Sequence, residues 1–320
     1  MDIVVTGSVA YDYLMTFPGN FREHILLDRL DSISLSFLVD TMVRQRGGCA
    51  ANIAYALGLF GESPRLMATV GQDFGEYRAW LQSNGVDTSA VKVINDKFTA
   101  SFFANTDQSN AQICSFYTGA MANAGELSFK SLVKKPDLVV ISPNDPGAMV
   151  QYARECRELG IPYLYDPSQQ LPRLSGDELA EGIGGAWALF VNDYEYGLIQ
   201  EKTGMSEAKI LGKVPLLVVT KGAKGARVCI EGREEHIPIV SPEKIVDPTG
   251  VGDAFRGGFL AGHAKGLDFI LCVQMGTLTA TYCLENSGTQ NYVFTARQFT
   301  ARFRKHFSDN GALNALLDQG

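Results

Sequence analysis

The run DPTGVGDAFRGGFLAG, residues 247–262, places Gly250 and Gly252 just ahead of an apolar stretch of small residues. Glycines at a helix start leave backbone N–H groups free, and these donors at the positive helix end attract anions such as phosphate. Asp253 stands inside this cradle, where a carboxylate would repel that ligand. Phosphoryl transfer to an alcohol reconciles the two features. It needs backbone donors on the phosphoryl oxygens, a divalent metal, and a carboxylate that takes the proton of the attacking hydroxyl. Asp253 would then face the hydroxyl rather than the phosphate, and the helix end would help keep it ionised.

Two further groups suit a polyol acceptor. In RGGCAANIAYALGLFG, residues 46–61, Ile53, Leu57 and Phe60 recur at helical spacing behind Gly47 and Gly48. The glycine pair admits a ligand to the backbone, and Asn52, in the first turn, can donate and accept to a diol. In GSVAYD, residues 7–12, Asp12 can hold vicinal hydroxyls through both oxygens and Ser8 adds a polar contact. Each group also has a plain structural reading: a tight turn packing a helix, a polar helix cap, a solvated loop carboxylate.

Positioning these groups requires strands that end at one place. Runs at 2–8, 64–71, 137–145, 162–168, 188–193 and 216–222 are rich in β-branched and apolar residues and alternate with helical stretches. That alternation predicts a doubly wound α/β fold with a mostly parallel sheet. Ser8, Asn144, Asp166, Asn192 and Thr220 close five of these runs, and in such sheets ligands bind outside the carboxyl ends of the strands. Two segments break the pattern. Residues 98–121 alternate on both sides of a polar turn near Ser109 and predict a β-hairpin, which if symmetric sets Phe102 opposite Phe116. Residues 31–45 alternate in part and add a strand. With residues 10–18 these would form a small sheet outside the main body, a lid made by insertions at about 10–45 and 96–121 of a single 1–320 domain. Two aromatics on one lid face suit a planar base, although a cross-strand pair that merely holds the hairpin is the commoner arrangement.

Composition narrows the partners. The chain has 320 residues, 46% hydrophobic and 20% charged, with a net charge of −7, which argues against nucleic acid or an anionic membrane as partner. Six scattered cysteines without a CxxC pair predict buried thiols in a reducing compartment rather than disulfides or zinc. No signal-like or membrane-spanning run is present, and a cytoplasmic location is expected. Neither G-x-G-x-x-G after the first strand nor GxxxxGK[ST] occurs, which disfavours a dinucleotide-dependent dehydrogenase and a P-loop enzyme.

Residues 247–262 resemble the C-terminal signature of the ribokinase-like (phosphofructokinase-B) family of carbohydrate and nucleoside kinases, and residues 46–61 resemble its GG-x-x-x-N signature. NDYE, residues 192–195, resembles its N-x-x-E motif, and TKGAKGARV, residues 220–228, its nucleotide-facing T-x-G-x-x-G strand and loop. SLSFLVD, the hairpin and DPSQQLPRLSG (166–176) are similar to the bacterial adenosine kinases of the actinobacterial type. One departure, Cys49-Ala50-Ala51 where other small residues are expected, leaves Asn52 in place.

The resemblance implies adenosine and ATP as ligands. It puts Asp12, Gly48 and Asn52 on the ribose, Ser8 and Ser36 nearby, Phe102 and Phe116 on the purine, and Gln169 or Gln170 on a base edge. It further implies Asp253 as base with Gly250 and Gly252, and ATP held by Asn192, Thr220, Gly222, Gly225, Gly250, Val251 and Gly252. Mg2+ would be ordered by Glu195 through water, and K+ would sit near Asp247 and the loop at 285–290; a homodimer through the lid is also implied. A sugar kinase for ribose or fructose and a non-catalytic nucleoside sensor remain as alternatives.

Overall fold

The computed structural model describes residues 1–25, 31, 32 and 34–317. In chain order the strands are β1 (Ile3–Thr6), β2 (Ala10–Thr16), β3 (Thr41–Gly47), β4 (Arg65–Met67), β5 (Thr69–Gly71), β6 (Lys92–Ile94), β7 (Ala100–Thr106), β8 (Gln112–Tyr117), β9 (Leu138–Ile141), β10 (Tyr163–Tyr165), β11 (Ala188–Asn192), β12 (Leu216–Thr220), β13 (Ala226–Ile230) and β14 (Arg233–Ile237). The helices are α1 (Cys49–Leu59), α2 (Gly75–Ser83), α3 (Pro146–Leu159), α4 (Gly176–Ile183), α5 (Asp193–Thr203), α6 (Glu207–Leu211), α7 (Val251–Ala264), α8 (Phe269–Leu284), α9 (Ala296–Phe303) and α10 (Asn314–Leu317).

Eight strands form the main sheet in the order β14-β13-β12-β11-β10-β9-β1-β4. It is parallel from β12 to β4, and only β13 and β14 pair antiparallel. Its strands are apolar on both faces because helices cover both. Val5, Val140, Leu164, Phe190 and Val218 pack with α1, α7 and α8 on one side. Val4, Val139, Tyr165, Leu189 and Val219 pack with α3, α4 and α5 on the other. The small residues after Asp253 serve this packing. A Cβ on Gly257 would lie 2.3 Å from Ala56 of α1, and one on Gly258 2.3 Å from Thr279 of α8, so α7 wedges between two helices at a distance only glycine permits.

From β1 the chain runs to β4 on one side and later to β9 on the other, so the order reverses at β1 and β9. In an open α/β sheet the ligand crevice lies at such a reversal. Here the Ser8 N–H donates to the Pro143 carbonyl at 2.8 Å, joining the two strand ends.

A separate four-stranded sheet, β3-β2-β7-β8, forms the lid. The hairpin has the expected register, with Phe102 opposite Phe116. Its turn is organised by Asp107, whose Oδ1 accepts from Ser109 N (2.8 Å), Ser109 Oγ (2.7 Å) and Ala111 N (2.9 Å).

Two expected boundaries differ. The strand over 64–71 divides at Ala68: β4 joins the main sheet, while β5 turns away to pair with β6. The strand within 31–45 is confined to Thr41–Gly47, where it pairs with β2; residues 34–39 form no regular element because Phe37 instead packs on Phe17 and Phe21, with ring centroids 5.0 and 4.9 Å away. The parts of the expected lid insertion at 26–30 and 33 lie outside the described residues. Five cysteines are buried as expected, but Cys114 is exposed on β8, the lid's edge strand. Among the described residues no helix is long and apolar enough to cross a membrane.

Candidate active site

A cavity of about 510 Å³ lies between the lid and the strand ends at the sheet reversal. The strand end contributes Ser8 and Pro143, the lid Asp12, Phe102 and Phe116, the start of α1 Gly48 and Asn52, and the start of α7 Gly250 and Asp253; Gln169 and Gln170 border it too. Residues more than 240 positions apart in sequence thus meet at one place. Gly48 makes the junction possible. It adopts φ +96°, and a Cβ there would come within 2.6 Å of the Ala10 nitrogen and the Ser8 carbonyl. The same closeness lets Ser8 Oγ accept from the Cys49 N–H at 2.9 Å.

Asn52 bridges the two glycine motifs. Its Nδ2 donates to Asp253 Oδ2 at 2.8 Å, while its Oδ1 accepts from Thr289 Oγ1 at 2.8 Å and Gln290 Nε2 at 2.9 Å. Burial raises the Asp253 carboxyl above the ordinary carboxylate range, and the Arg256 guanidinium, Asn52 and Cys49 only partly offset it. Burial thus opposes the ionisation that a helix end favours. Asp12 behaves alike, pushed up to about 6 by burial and then by the negative charges of Asp247 and Asp253. Three carboxylates crowd this end of the molecule, as suits a place where hydroxyl groups donate.

Arg256, one helical turn beyond Asp253, is buried and ion-paired with Asp166: Nη2 donates to Oδ1 at 2.7 Å, while Nε lies 2.5 Å from Oδ2 without the alignment of a hydrogen bond. Its third nitrogen turns back to the glycine turn, 2.8 Å from where a Gly252 Cβ would stand. A fixed positive charge thus lies under the anion cradle.

A second cavity of about 380 Å³, largely apolar, lies on the far side of that turn. Thr220, Gly222, Gly225, Val251 and Gly252 border it, together with Ile239 and Leu284 among others. The turn is the wall between the cavities, with Gly250 and Asp253 facing one and Val251 and Gly252 the other. Gly250 caps α7 at φ +74°, and a Cβ would press within 2.8 Å of Thr289. The N–H groups of the first α7 turn stand where a group passing between the cavities would meet them.

Not every expected residue borders a cavity. Ser36 is exposed and borders neither, because its segment is drawn to the Phe17–Phe21 cluster. Asn192 and Glu195 form a capping box on α5: Asn192 Oδ1 accepts from Glu195 N at 2.8 Å, and Glu195 Oε2 from Asn192 N at 2.8 Å. Glu195 Oε1 also accepts from Ser168 Oγ at 3.2 Å. Asn144 is buried, with its Oδ1 accepting from Asp145 N at 2.9 Å. Asp247 accepts from Thr249 N (2.9 Å) and Gly288 N (3.0 Å), which ties it to the 285–290 loop; burial raises its carboxyl, but these hydrogen bonds prevail and leave it below the ordinary range.

Among the described residues no group of three or more His, Cys, Asp and Glu side chains could cage a metal. Glu195 offers carboxylate oxygens, the donor class that magnesium takes. The motifs did not single out Arg173, Arg256, Thr289 or Gln290. Arg256 is inside a quoted motif, but its partner Asp166 is 90 residues away, and nothing local signals the pair.

The sequence pattern of the pfkB family carbohydrate kinases matches residues 5–296. The chain belongs to the pfkB family. Its fold agrees with family structures: the nucleoside kinase of Burkholderia thailandensis in complex with inosine is 37% identical, covers 95% of this chain and 98% of its own, and superposes with a TM-score of 0.86. The nucleoside kinase of Methanocaldococcus jannaschii is 28% identical over 306 residues, covering 95% of this chain and 97% of that protein. A probable fructokinase-5 of Arabidopsis thaliana is 29% identical over 268 residues, covering 77% and 82%. Nucleoside kinases and a probable fructokinase thus both align with the chain.

Proposed function

We propose that this chain transfers the γ-phosphoryl group of ATP to the 5′-hydroxyl of adenosine. The observation that carries the reading is the aromatic pair of the lid. Phe102 and Phe116 face each other across β7 and β8, both border the cavity that contains Asp253, and Phe116 is 48% exposed. A half-exposed aromatic over a ligand-sized cavity is poorly explained by hairpin stability alone and is well used by a stacked base. Asp12, Gly48 and Asn52 take the ribose hydroxyls, and Gln169 or Gln170 meets the base edge.

The turn between the cavities receives the γ-phosphoryl group. The bond from the 5′-oxygen to the γ-phosphorus forms as the bond from that phosphorus to the β–γ bridging oxygen breaks. The hydroxyl proton passes to Asp253, and ADP leaves into the apolar cavity. Backbone N–H groups of residues 250–253 and the Arg256 charge oppose the negative charge gathering on the phosphoryl oxygens. Glu195, through water, would hold Mg2+, which when bound neutralises phosphate charge. Asp247 and the adjoining loop offer oxygen donors of the kind K+ takes. Closure of the lid over the base excludes water and spares ATP from hydrolysis.

Inosine is a second acceptor, favoured by the inosine complex of the Burkholderia thailandensis relative and by the chemistry of the glutamines, whose amides can donate to or accept from either purine edge. The lid also suits a homodimer: β8 is an exposed edge strand carrying Ile113 and Tyr117, and an uncovered edge of this kind seeks a partner.

The test is ADP release from MgATP with adenosine, inosine, cytidine, ribose and fructose in parallel. Adenosine is expected to lead. Turnover with free sugars alone would make the aromatic pair structural, and tight adenosine binding without turnover would leave a sensor.

A further inference from the structure

Gln290 is buried, 2% exposed, and does not border the cavity that contains Asp253. The Trp80 indole N–H, on α2, donates to its Oε1 at 3.1 Å. An indole nitrogen can only donate, so Gln290 must turn its oxygen to Trp80 and its NH2 to the opposite side. There Nε2 donates to the Tyr77 hydroxyl and to Asn52 Oδ1. Tyr77 has spent its own proton on the Gly47 carbonyl at 2.9 Å and can only accept. Thr289 Oγ1 lies 2.8 Å from both Asn52 Oδ1 and the Arg46 carbonyl, and its single proton serves one of them at a time, so the polarity of Asn52 is set by Gln290. With its oxygen so engaged, Asn52 must present Nδ2 to Asp253. The orientation of an amide is ordinarily ambiguous; here each link leaves the next a single polarity. Trp80 itself is fixed by the Tyr55 ring, 6.1 Å away and inclined 17°, and by the Arg46 guanidinium 4.4 Å over its face.

We propose that Trp80 and Gln290 are positioning residues whose one-way hydrogen-bond chain keeps an Asn52 N–H donor on the Asp253 carboxylate. The proposal rests on the reading of Asp253 as the base. The donor matters because Asp253 is otherwise in a poor place to ionise. It is faced by Arg256 from its own helix, Glu195 from α5, Asp166 from the end of β10, Asp12 from β2 and Cys49 from α1, with Cys283 and Tyr292 behind. One cation is set against three acids, so a single lost donor shifts the balance toward the protonated form. A neutral Asp253 cannot take the hydroxyl proton.

The test reads Asp253 directly in the nucleoside-free protein. The ¹³C resonances of aspartate carboxyl groups are followed against pH, with Asp253→Asn giving the assignment, in the wild type, Trp80→Phe, Gln290→Met and Gln290→Glu. Partial loss of a charge-assisted hydrogen bond to the carboxylate predicts an upward move of about half to one pH unit in the Gln290 variants. Trp80→Phe, which introduces no charge and lies beyond the first partner, is expected to move it less but in the same direction. The acid limb of the kcat profile moves with it, and nucleoside KM changes less than kcat. Folded variants, judged by circular dichroism, whose Asp253 titration matches the wild type would overturn the proposal, as would a loss confined to KM. Should the Gln290 variants fail to fold, Trp80→Phe decides alone. Because the titration needs no turnover, a wild type that is inert toward nucleosides defeats the kinase reading without touching this result.

Discussion

In the proposed reaction Asp253 must be ionised to act, yet burial favours its proton, and the Asn52 donor and the Arg256 charge oppose that preference. Asp253→Asn keeps the shape and removes the base; turnover should fall about 10²-fold or more while nucleoside binding persists, measured by steady-state kinetics and calorimetry. Asp12 carries a pH signature. Its carboxyl is raised to about 6 in the fold against 3.8 when free, so the fold is favoured by the protonated form. That contribution is fully present below about pH 3.8 and is lost as pH rises through 6. Compared with Asp12→Asn in urea titrations, the wild type should therefore lose relative stability between pH 4 and 6 and then level off. Arg256→Met strips the partner from a buried Asp166, whose carboxyl burial already pushes up to about 7 and which then takes a proton; the change should cost about 1–3 kcal/mol in the same assay at pH 7, the penalty of a buried polar group left unpaired. Asp253, Asn52 and Asp12 were legible in the sequence because their glycine-flanked motifs are local. Gln290 was not, since its partner Asn52 is 238 residues away and only the fold joins them. Ser36 shows the converse: a motif resemblance placed it near the ribose, but the packing of Phe37 leaves it in solvent.

At the scale of elements, register decided what could be foreseen. Alternation around Ser109 was enough to pair Phe102 with Phe116, because a hairpin turn fixes register locally. The 64–71 run reads as one strand because its apolar character continues through Ala68, whereas its division depends on β6, more than 20 residues on. The lid hairpin yields a discriminating prediction. Phe102→Ala should weaken adenosine binding by about 1–3 kcal/mol, the contribution of one stacked base. Unchanged affinity in calorimetry would reduce the pair to a hairpin clamp.

Over the whole molecule, the reversal of strand order at β1 and β9 and the wedge of α7 between α1 and α8 bring two cavities against one glycine turn. The doubly wound sheet was legible from βα alternation; the junction was not, since it depends on Gly48 and Gly257 meeting backbone and side chains far off in sequence. The exposed β8 edge predicts a dimer in light scattering that Ile113→Lys converts to a monomer; a monomeric wild type would remove the lid interface from this account. The central claim, that phosphate passes through the turn to a nucleoside 5′-oxygen with Asp253 as base, is tested most directly by following MgATP and adenosine by ³¹P NMR with wild type and Asp253→Asn. A phosphomonoester signal split into a triplet by the 5′-methylene protons, accumulating with ADP and nearly absent in the variant, is the predicted result. Inorganic phosphate alone, an ester at another hydroxyl, or equal rates in the two proteins would contradict it.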